Sequence, residues 1–190
     1  MIERHPRPLA LGTAAPAFAL PDPSGTLWSL EDFSAARAVL VAFLCNHCPF
    51  VQHMLEGFVA FARDYGPKGL AVVAINPNDS SAYPADAPQQ MARIAADKNF
   101  PFPYLIDASQ RVALAYQAVC TPDLFLFDSA RTLVYRGRFD GSSPGNKTPV
   151  TGAELRAALE ALLSGKRIEQ QIPSLGCSIK WKPENAPQWA

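Results

Sequence analysis

Two cysteines separated by two residues stand directly after the most apolar segment of this chain. Residues 38–44 are continuously apolar, and their number and branched side chains predict a strand that is buried on both faces. Cys45 and Cys48 follow at once, and from Phe50 to Tyr65 the apolar residues recur at helical spacing. The chain must therefore fold so that a dithiol lies where a central strand passes into a helix.

The rest of the pattern predicts an α/β protein with a central mixed sheet and helices on both faces. Residues 70–75 are a second buried strand, which makes the first half a strand–helix–strand unit with a parallel pair. Further strands are predicted over 104–107, 123–127 and 133–138, the last two as an antiparallel hairpin. Three further helices are predicted. The first has Asp86 as its N-cap, the second passes through Val112 and Tyr116, and the third begins with a capping box from Thr151 to Glu154.

The length of 190 residues suits one domain, and we expect a single domain over 1–190. Its proline-rich start, residues 1–37, is predicted to be an extended N-terminal arm. Its last segment, residues 166–190 (the tail), is predicted to dock on the body. The tail has no clear period but keeps four large apolar side chains, Ile172, Leu175, Ile179 and Trp181.

Charge and composition exclude several functions. The 17 basic and 17 acidic residues cancel, so no overall field attracts nucleic acid or an anionic membrane surface. No apolar stretch approaches the ~20 residues of a membrane span, and residues 1–8 lack the basic-then-apolar order of a signal peptide. We therefore expect a cytoplasmic protein with no nucleic-acid or membrane partner. In that reducing compartment a C-x-x-C indicates redox chemistry or metal binding rather than a structural disulfide.

The position of the C-x-x-C suits thiol–disulfide exchange. Cysteines three apart in a first helical turn can meet disulfide geometry, and the free N–H groups and dipole at a helix start favour thiolate. We predict that Cys45 is the exposed nucleophile with a lowered pKa and that Cys48 is the resolving thiol. His47 is predicted to donate to the Cys45 thiolate, the alternative being a solvated turn residue. Asn46 and Pro49 are predicted to belong to the substrate-binding surface.

A Thr–Pro pair directly precedes the predicted strand over 123–127. Pro122 cannot donate to a strand ladder, and a cis bond would turn the Thr121 backbone outward to pair with a peptide substrate. An ordinary trans proline in a loop is the alternative that the residue types leave open. Thr121 and Pro122 are therefore candidate substrate-binding residues.

The strand ending in Cys-x-x-Cys, the strand–helix–strand unit, the proline before the hairpin and the last helix together resemble the thioredoxin fold. More narrowly, the chain resembles thioredoxin-like members of the AhpC/TSA (peroxiredoxin-like) superfamily over nearly its whole length. The matching stretches are 43–50, 76–91, 121–128 and 176–183. The resemblance implies a cis Pro122 packed against Cys45 and Cys48 and a disulfide-containing protein or small molecule as substrate. It also implies a reductant such as a thioredoxin or glutathione system, and no cofactor.

Two departures from better-known relatives bear on the activity. Peroxiredoxins carry a threonine three residues before the reactive cysteine, but that position is Ala42 when counted from Cys45 and Cys45 itself when counted from Cys48. Thioredoxins carry a buried acid six residues before the first cysteine, where this chain has Val39. Efficient peroxide reduction and the usual proton relay are therefore not indicated by these positions. Glutamates elsewhere are the candidates to replace the acid, namely Glu31 and Glu56.

Three functions follow from these residues. The first is a thiol–disulfide oxidoreductase that uses Cys45 and Cys48. The second is a peroxide-reducing antioxidant in which Cys45 forms a sulfenic acid that Cys48 resolves. The third, a metal-binding or copper-delivery protein, would need these cysteines and a histidine, and we predict no metal.

Two further cysteines lie outside the C-x-x-C. Cys120 stands two residues before Pro122, so the fold brings it near the dithiol. It is a candidate third redox thiol, the alternative being a buried and inert cysteine. Cys177 can take part only if the tail folds over the site.

Overall fold

In the computed structural model, which describes residues 9–188, a five-stranded mixed sheet forms the centre of the protein. The strands are β1 (Ala19–Pro21), β2 (Leu27–Ser29), β3 (Ala38–Phe43), β4 (Leu70–Asn76), β5 (Tyr104–Ile106), β6 (Cys120–Thr121), β7 (Asp123–Phe127), β8 (Leu133–Gly137) and β9 (Cys177–Ser178). The α-helices are α1 (Pro49–Tyr65), α2 (Pro88–Asp97), α3 (Arg111–Ala115) and α4 (Ala153–Leu163). The central sheet has the order β5-β4-β3-β7-β8, while β1 pairs with β2 and β6 pairs with β9.

Strand β3 is apolar throughout because it is covered on all sides. It pairs in parallel with β4 and antiparallel with β7, and all six of its residues are fully buried. Its alternate side chains face opposite layers, Leu40 on one side and Val41 on the other, as the period of a strand requires. The central strand, the α1 crossover and the hairpin of β7 and β8 confirm the predicted α/β sheet with mixed strand directions.

The two faces of the sheet carry different layers. Helices α1, α2 and α4 cover one face, with Phe58, Met91 and Leu159 in its core. Helix α3 and the N-terminal segment cover the other face, where Phe18 and Tyr116 are buried. Helices therefore lie on both faces, as the sequence predicts.

The N-terminal arm differs from the expected extended segment because residues 19–29 turn back as a hairpin. β1 and β2 pair antiparallel. The Asp22 carboxylate closes the turn by accepting from the Ser24 and Thr26 backbone N–H groups and from the Trp28 indole. The part of the arm before residue 9 lies outside the described residues.

Helix α4 begins without the predicted capping box. Its N-cap is Gly152, at a left-handed φ of 68° that suits glycine. The Asp140 carboxylate takes over the capping role by accepting from Thr151 N at 2.7 Å and Gly152 N at 2.6 Å. The local pattern missed this cap because the acid comes from a loop 12 residues earlier.

The tail follows β8 and then crosses to the end of β3. Arg136 N donates to Gln171 Oε1 at 3.0 Å, and Arg138 N donates to Ile172 O at 2.8 Å. Beyond them β9 pairs antiparallel with β6, which places Cys177 opposite Thr121. Of the apolar tail residues, Ile179 is buried, whereas Leu175 is 65% exposed and does not dock as expected.

Within residues 9–188, none of the helices has the length and apolar character that crossing a lipid bilayer requires.

Candidate active site

The two cysteines of the C-x-x-C lie in the turn between β3 and α1, and both are buried. Cys45 is 1% exposed and Cys48 is 0% exposed. Helix α1 begins only at Pro49, with Cys48 as its N-cap, so Cys45 stands before the helix rather than in its first turn. The prediction of an exposed Cys45 is therefore wrong, because the turn folds inward against Thr121.

Thr121 contacts both thiols. The Cys45 Sγ atom lies 3.1 Å from Thr121 Oγ1, and Cys48 Sγ lies 3.0 Å from the Thr121 carbonyl oxygen, to which a Cys48 thiol donates. The Thr121–Pro122 bond is cis, which confirms the expectation drawn from the resemblance. One residue thus holds the two sulfur atoms of the site from the opposite strand.

The surroundings of the two thiols shift their pKa values in opposite directions. The hydrogen bond to Cys48, burial and the charge of Asp86 raise the pKa of Cys45. The hydrogen bonds that Cys48 accepts from the Cys45 thiol, the Cys177 thiol and the Val51 backbone N–H lower the pKa of Cys48. The prediction of a lowered pKa at Cys45 is wrong, because the first-turn N–H group reaches Cys48 instead. The pair loses its first proton from Cys48.

A buried carboxylate whose local sequence is typical of a helix cap belongs to this site. Asp86 accepts from the Asn46 backbone N–H at 2.6 Å, from His47 Nδ1 at 2.6 Å and from Asn78 Nδ2 at 2.8 Å. The N-cap of α2 is Ala87 rather than Asp86. Asp86 is turned inward because a buried carboxylate needs several donors, and the C-x-x-C turn provides two of them.

His47 hydrogen-bonds with the Asp86 carboxylate rather than with the Cys45 sulfur. Its Nδ1–H donates to Asp86, and its ring stacks on Tyr83 with centroids 5.2 Å apart. The predicted donation to a Cys45 thiolate is therefore not the hydrogen bond that forms. The ligand atoms of Cys45, His47 and Asp86 all lie within 4.8 Å of one another. This set differs from the two cysteines and a histidine that the metal alternative requires.

Asn46 fixes the turn, and Pro49 starts the helix behind it. The Asn46 amide donates to Ala85 O at 2.8 Å and accepts from the Tyr104 hydroxyl at 3.1 Å. Pro49 is the first residue of α1, where its missing N–H leaves no bond unmade. Both predicted binding residues therefore lie in the turn, and Asn46 is engaged with the protein itself.

The two glutamates considered as replacements for the missing acid are both exposed, which was the alternative for each. Glu56 is exposed and pairs with Lys98 at 2.6 Å, and Glu31 lies exposed in the short helical turn after β2. Asp86 is the buried acid whose charge acts on Cys45. In the sequence, Asp86 belongs to the 76–91 stretch that carries the resemblance. Its local pattern, which is typical of a helix cap, pointed away from a place in the site.

The two remaining cysteines have different surroundings. The Cys120 thiol donates to Pro122 O at 3.3 Å, and burial raises its pKa. Cys177 is half-buried in β9 and packs against the core cluster that contains Cys48. The condition set for Cys177, a tail folded over the site, is met.

Comparison with known proteins identifies the family. The model described as the AhpC/TSA family matches residues 11–136, which is more than half of the chain. The chain belongs to the AhpC/TSA family. The chain is similar to a hypothetical protein of Sinorhizobium meliloti 1021, whose crystal structure is known. The two sequences are 50% identical, and the structures superpose with a TM-score of 0.91 over 93% of this chain and 97% of that one.

Two further comparisons bear on the family and on the fold. A Mycobacterium tuberculosis protein named "putative peroxiredoxin" is 30% identical over 110 residues. The aligned region covers 58% of this chain and only 65% of the length of that relative. A crystal structure named as a thiol:disulfide interchange protein DsbE from Chlorobium tepidum is 24% identical, with a TM-score of 0.61 over 82% of this chain and 99% of that one. The predicted thioredoxin fold and the predicted family are confirmed. The names do not separate disulfide exchange from peroxide reduction.

Asp86 offers a test of how this AhpC/TSA family member holds its C-x-x-C turn. Asp86→Asn leaves a single acceptor oxygen for three donors, so at least one buried donor loses its partner. We expect the free energy of unfolding to fall by about 1–3 kcal/mol. Loss of the negative charge should also move the onset of Cys45 thiolate formation to lower pH.

The measurements are chemical denaturation and the pH profile of thiolate ultraviolet absorbance. Asp97→Asn is the matched control, because that carboxylate is 65% exposed and pairs with Arg93 at 3.7 Å. Equal effects of the two substitutions on both measurements would contradict the role given to Asp86.

Proposed function

We propose that the protein is a thiol–disulfide oxidoreductase whose redox centre is the Cys45–Cys48 dithiol. The observation that carries the proposal is that both thiols contact one residue, Cys45 Sγ at 3.1 Å from the Thr121 hydroxyl oxygen and Cys48 Sγ at 3.0 Å from the Thr121 carbonyl oxygen. Two sulfur atoms this close can interconvert between dithiol and disulfide with little backbone movement.

Cys45 is the proposed attacking thiol because it is the sulfur next to a surface cleft. Cys45 lines a small cleft with Asn46, Gln52 and Tyr104, whose volume of about 10 Å³ accommodates little more than one water molecule. Cys48 lies beneath it and is fully enclosed. A disulfide substrate must therefore widen this cleft to reach Cys45.

The proposed first step forms a mixed disulfide. The Cys48 thiolate takes the proton of the Cys45 thiol through the hydrogen bond between them. The Cys45 thiolate attacks one sulfur of the substrate disulfide, and the electron pair of the broken S–S bond leaves on the other substrate sulfur, which takes a proton from solvent.

The proposed second step releases the substrate. Cys48 loses its proton again to solvent, which the Val51 backbone N–H favours, and its thiolate attacks Cys45 Sγ. The mixed disulfide breaks, the second substrate sulfur leaves as a thiol, and the Cys45–Cys48 disulfide remains. The protein is oxidised by two electrons and the substrate is reduced by two.

The proposed partners follow from this chemistry. The substrate is a disulfide-containing protein or small molecule, and the reductant that restores the dithiol is a thioredoxin or glutathione system. The proposed compartment is the reducing cytoplasm, where such a reductant keeps thiols available.

Peroxide reduction is the second candidate because a threonine hydroxyl does lie 3.1 Å from Cys45 Sγ. It belongs to Thr121 rather than to the position where peroxiredoxins carry it. The charge that acts on Cys45 is the negative charge of Asp86, which disfavours the thiolate that attacks a peroxide. The two arginines near the end of β8 are engaged with carboxylates, Arg136 with Asp123 and Arg138 with Glu154.

The two candidates are separated by comparing the rates at which glutathione disulfide and hydrogen peroxide consume the reduced dithiol. We expect fast exchange with the disulfide and a peroxide rate no higher than that of an ordinary thiolate. Stopped-flow tryptophan fluorescence or a timed alkylation quench gives both rates, and Cys45→Ser is the blank. A peroxide rate orders of magnitude above that of a free thiolate would make the protein a peroxidase.

A further inference from the structure

The tail occupies the backbone edge on which a substrate peptide is predicted to pair. The Thr121 backbone, the predicted pairing edge for an incoming peptide, pairs antiparallel with Cys177 and Ser178 of the same chain through β6 and β9. The approach is close at Gly176, where an added Cβ atom would clash with the Thr121 carbonyl oxygen. Only glycine fits there without displacing one of the two backbones.

Hydrogen bonds on both sides of β9 fix this position. Before β9, Ile172 O accepts from Arg138 N. After it, Lys180 N donates to Asn78 Oδ1 at 2.9 Å, and Lys180 O accepts from Asp79 N at 2.9 Å. Asn78 also donates to Asp86, so the tail and the C-x-x-C turn share one buried network. Cys177 is therefore held beside the dithiol rather than meeting it by chance.

The three thiols differ in how well they are reached from solvent. Cys45 and Cys48 are buried, whereas Cys177 is half-buried. Cys177 lies opposite Thr121, the residue that contacts both Cys45 Sγ and Cys48 Sγ, and Cys177 packs against the core cluster that contains Cys48. Cys120, the other nearby cysteine, donates to Pro122 O instead. Cys177 is thus the most accessible of the three thiols, and it packs beside Cys48, the enclosed thiol of the dithiol.

We propose that Cys177 is a third redox thiol, which takes over the disulfide from the buried dithiol by forming a bond with Cys48. This proposal rests on the proposed function, which supplies the Cys45–Cys48 disulfide. The Cys177 thiolate, formed by loss of its proton to solvent, attacks Cys48 Sγ. The Cys45–Cys48 bond breaks, the Cys48–Cys177 bond forms, and the electron pair and a proton from solvent restore the Cys45 thiol.

This exchange changes no oxidation state overall, because one disulfide replaces another. It moves the disulfide from two buried sulfur atoms to a pair that includes the half-buried Cys177. A thiolate of the external reductant then attacks Cys177 Sγ without entering the core, and Cys48 leaves and takes a proton from solvent. A second thiol of the reductant displaces Cys177 from the resulting mixed disulfide and so restores the Cys177 thiol.

The test is a disulfide map of the full-length protein after oxidation by glutathione disulfide. Free thiols are blocked with N-ethylmaleimide, and trypsin places the cysteines on three peptides, 38–63 for the dithiol, 112–131 for Cys120 and 168–180 for Cys177. We expect peptide 168–180 linked to peptide 38–63, with the remaining cysteine of peptide 38–63 blocked. The link should be lost in Cys48→Ser and also in Cys45→Ser, which cannot form the internal disulfide that Cys177 attacks, while peptide 112–131 stays blocked throughout.

A second variant tests the position of β9 while it leaves all four cysteines unchanged. Gly176→Ala should displace β9 from Thr121 and so abolish the link to peptide 168–180, while the internal disulfide of peptide 38–63 still forms. Gly145→Ala is the matched control, because nothing lies within 4 Å of the added Cβ, and it should keep the link. A link that survives Gly176→Ala unchanged would contradict the role given to β9.

The outcomes distinguish this proposal from the proposed function. If oxidised wild-type protein carries only the internal disulfide of peptide 38–63 and peptide 168–180 is fully blocked, Cys177 is not a redox thiol and the proposed function stands. If glutathione disulfide yields no disulfide that involves peptide 38–63, the proposed function fails, and the inference fails with it.

Discussion

Replacing Cys48 with serine is expected to leave the protein covalently joined to its disulfide substrate. Cys177 is proposed to form its disulfide with Cys48 rather than with Cys45, so in this variant the mixed disulfide on Cys45 loses its resolving thiol and turnover should fall by on the order of a thousandfold or more. Intact-protein mass spectrometry after incubation with glutathione disulfide should show one glutathione adduct, which tryptic mapping assigns to Cys45. The same serine also lacks the thiolate that takes the Cys45 proton, so the adduct should form more slowly than wild type is oxidised.

Two companion variants give this result its meaning. Cys45→Ser should lose turnover to a similar extent without accumulating the adduct, because Cys48 is enclosed. Cys120→Ser should keep turnover, since the Cys120 thiol bonds to Pro122 O rather than to the dithiol. Adduct accumulation on Cys48 in the Cys45→Ser protein would show that the order of attack is reversed.

Arg136→Met is expected to destabilise the protein strongly, and by more than Asp86→Asn does. Arg136 Nη2 lies 2.8 Å from Asp123 Oδ2, and both side chains are nearly excluded from solvent, at 12% and 2% exposure. The guanidinium also lies over the Phe125 ring at 4.6 Å. Removing it leaves an unpaired buried carboxylate, and the free energy of unfolding should fall by about 3–5 kcal/mol at neutral pH.

The pH dependence gives this prediction a second, independent test. Burial raises the pKa of Asp123, and Arg136 works against that rise. A carboxyl whose folded pKa lies above its unfolded pKa loses stability as pH rises between the two values. Without Arg136 the folded pKa rises further, so the deficit of the variant should shrink as the pH is lowered from neutral toward about 4.

Chemical denaturation at a series of pH values measures both effects. Arg93→Met is the matched control, because Arg93 is 76% exposed and its pairing with Asp97 spans 3.7 Å. Such a surface pair contributes about 0–1 kcal/mol. An Arg136→Met deficit that stays constant with pH would show that lost packing, rather than the stranded Asp123 charge, accounts for the effect.

Long apolar segments made the sheet and its main helix predictable. Residues 38–44 and 70–75 have neighbours on both sides and both faces, so burial requires apolar side chains at every position. Helix α1 shows its period because one side packs on the sheet and the other meets solvent. The position of Thr121–Pro122 next to the dithiol followed from the resemblance, and the register of β7 against β3 accounts for it in physical terms.

The parts of the site that were missed depend on contacts between distant parts of the chain. Asp86 has the local features of a helix cap, and only the folded turn, 40 residues away, supplies the donors that draw it inward. Cys45 was expected at the surface because it was assigned to the first turn of the helix, but the helix begins only at Pro49 and the preceding turn folds inward against Thr121. The tail has no period that places it, since two pairs of residues in β9 and β6 and a few side-chain bonds fix its path.

The path of the tail beside β8 has a consequence for the behaviour of the whole molecule. β8 is the last strand of its sheet, and Gln171 and Ile172 accept from the N–H groups of Arg136 and Arg138. A strand with unpaired N–H groups is a template for pairing with another chain. Proteolytic cleavage before residue 170 would therefore expose the N–H groups along the edge of β8, which could then pair with a strand of another chain. Covering of the β8 edge and the proposed disulfide exchange at Cys177 therefore both depend on the tail.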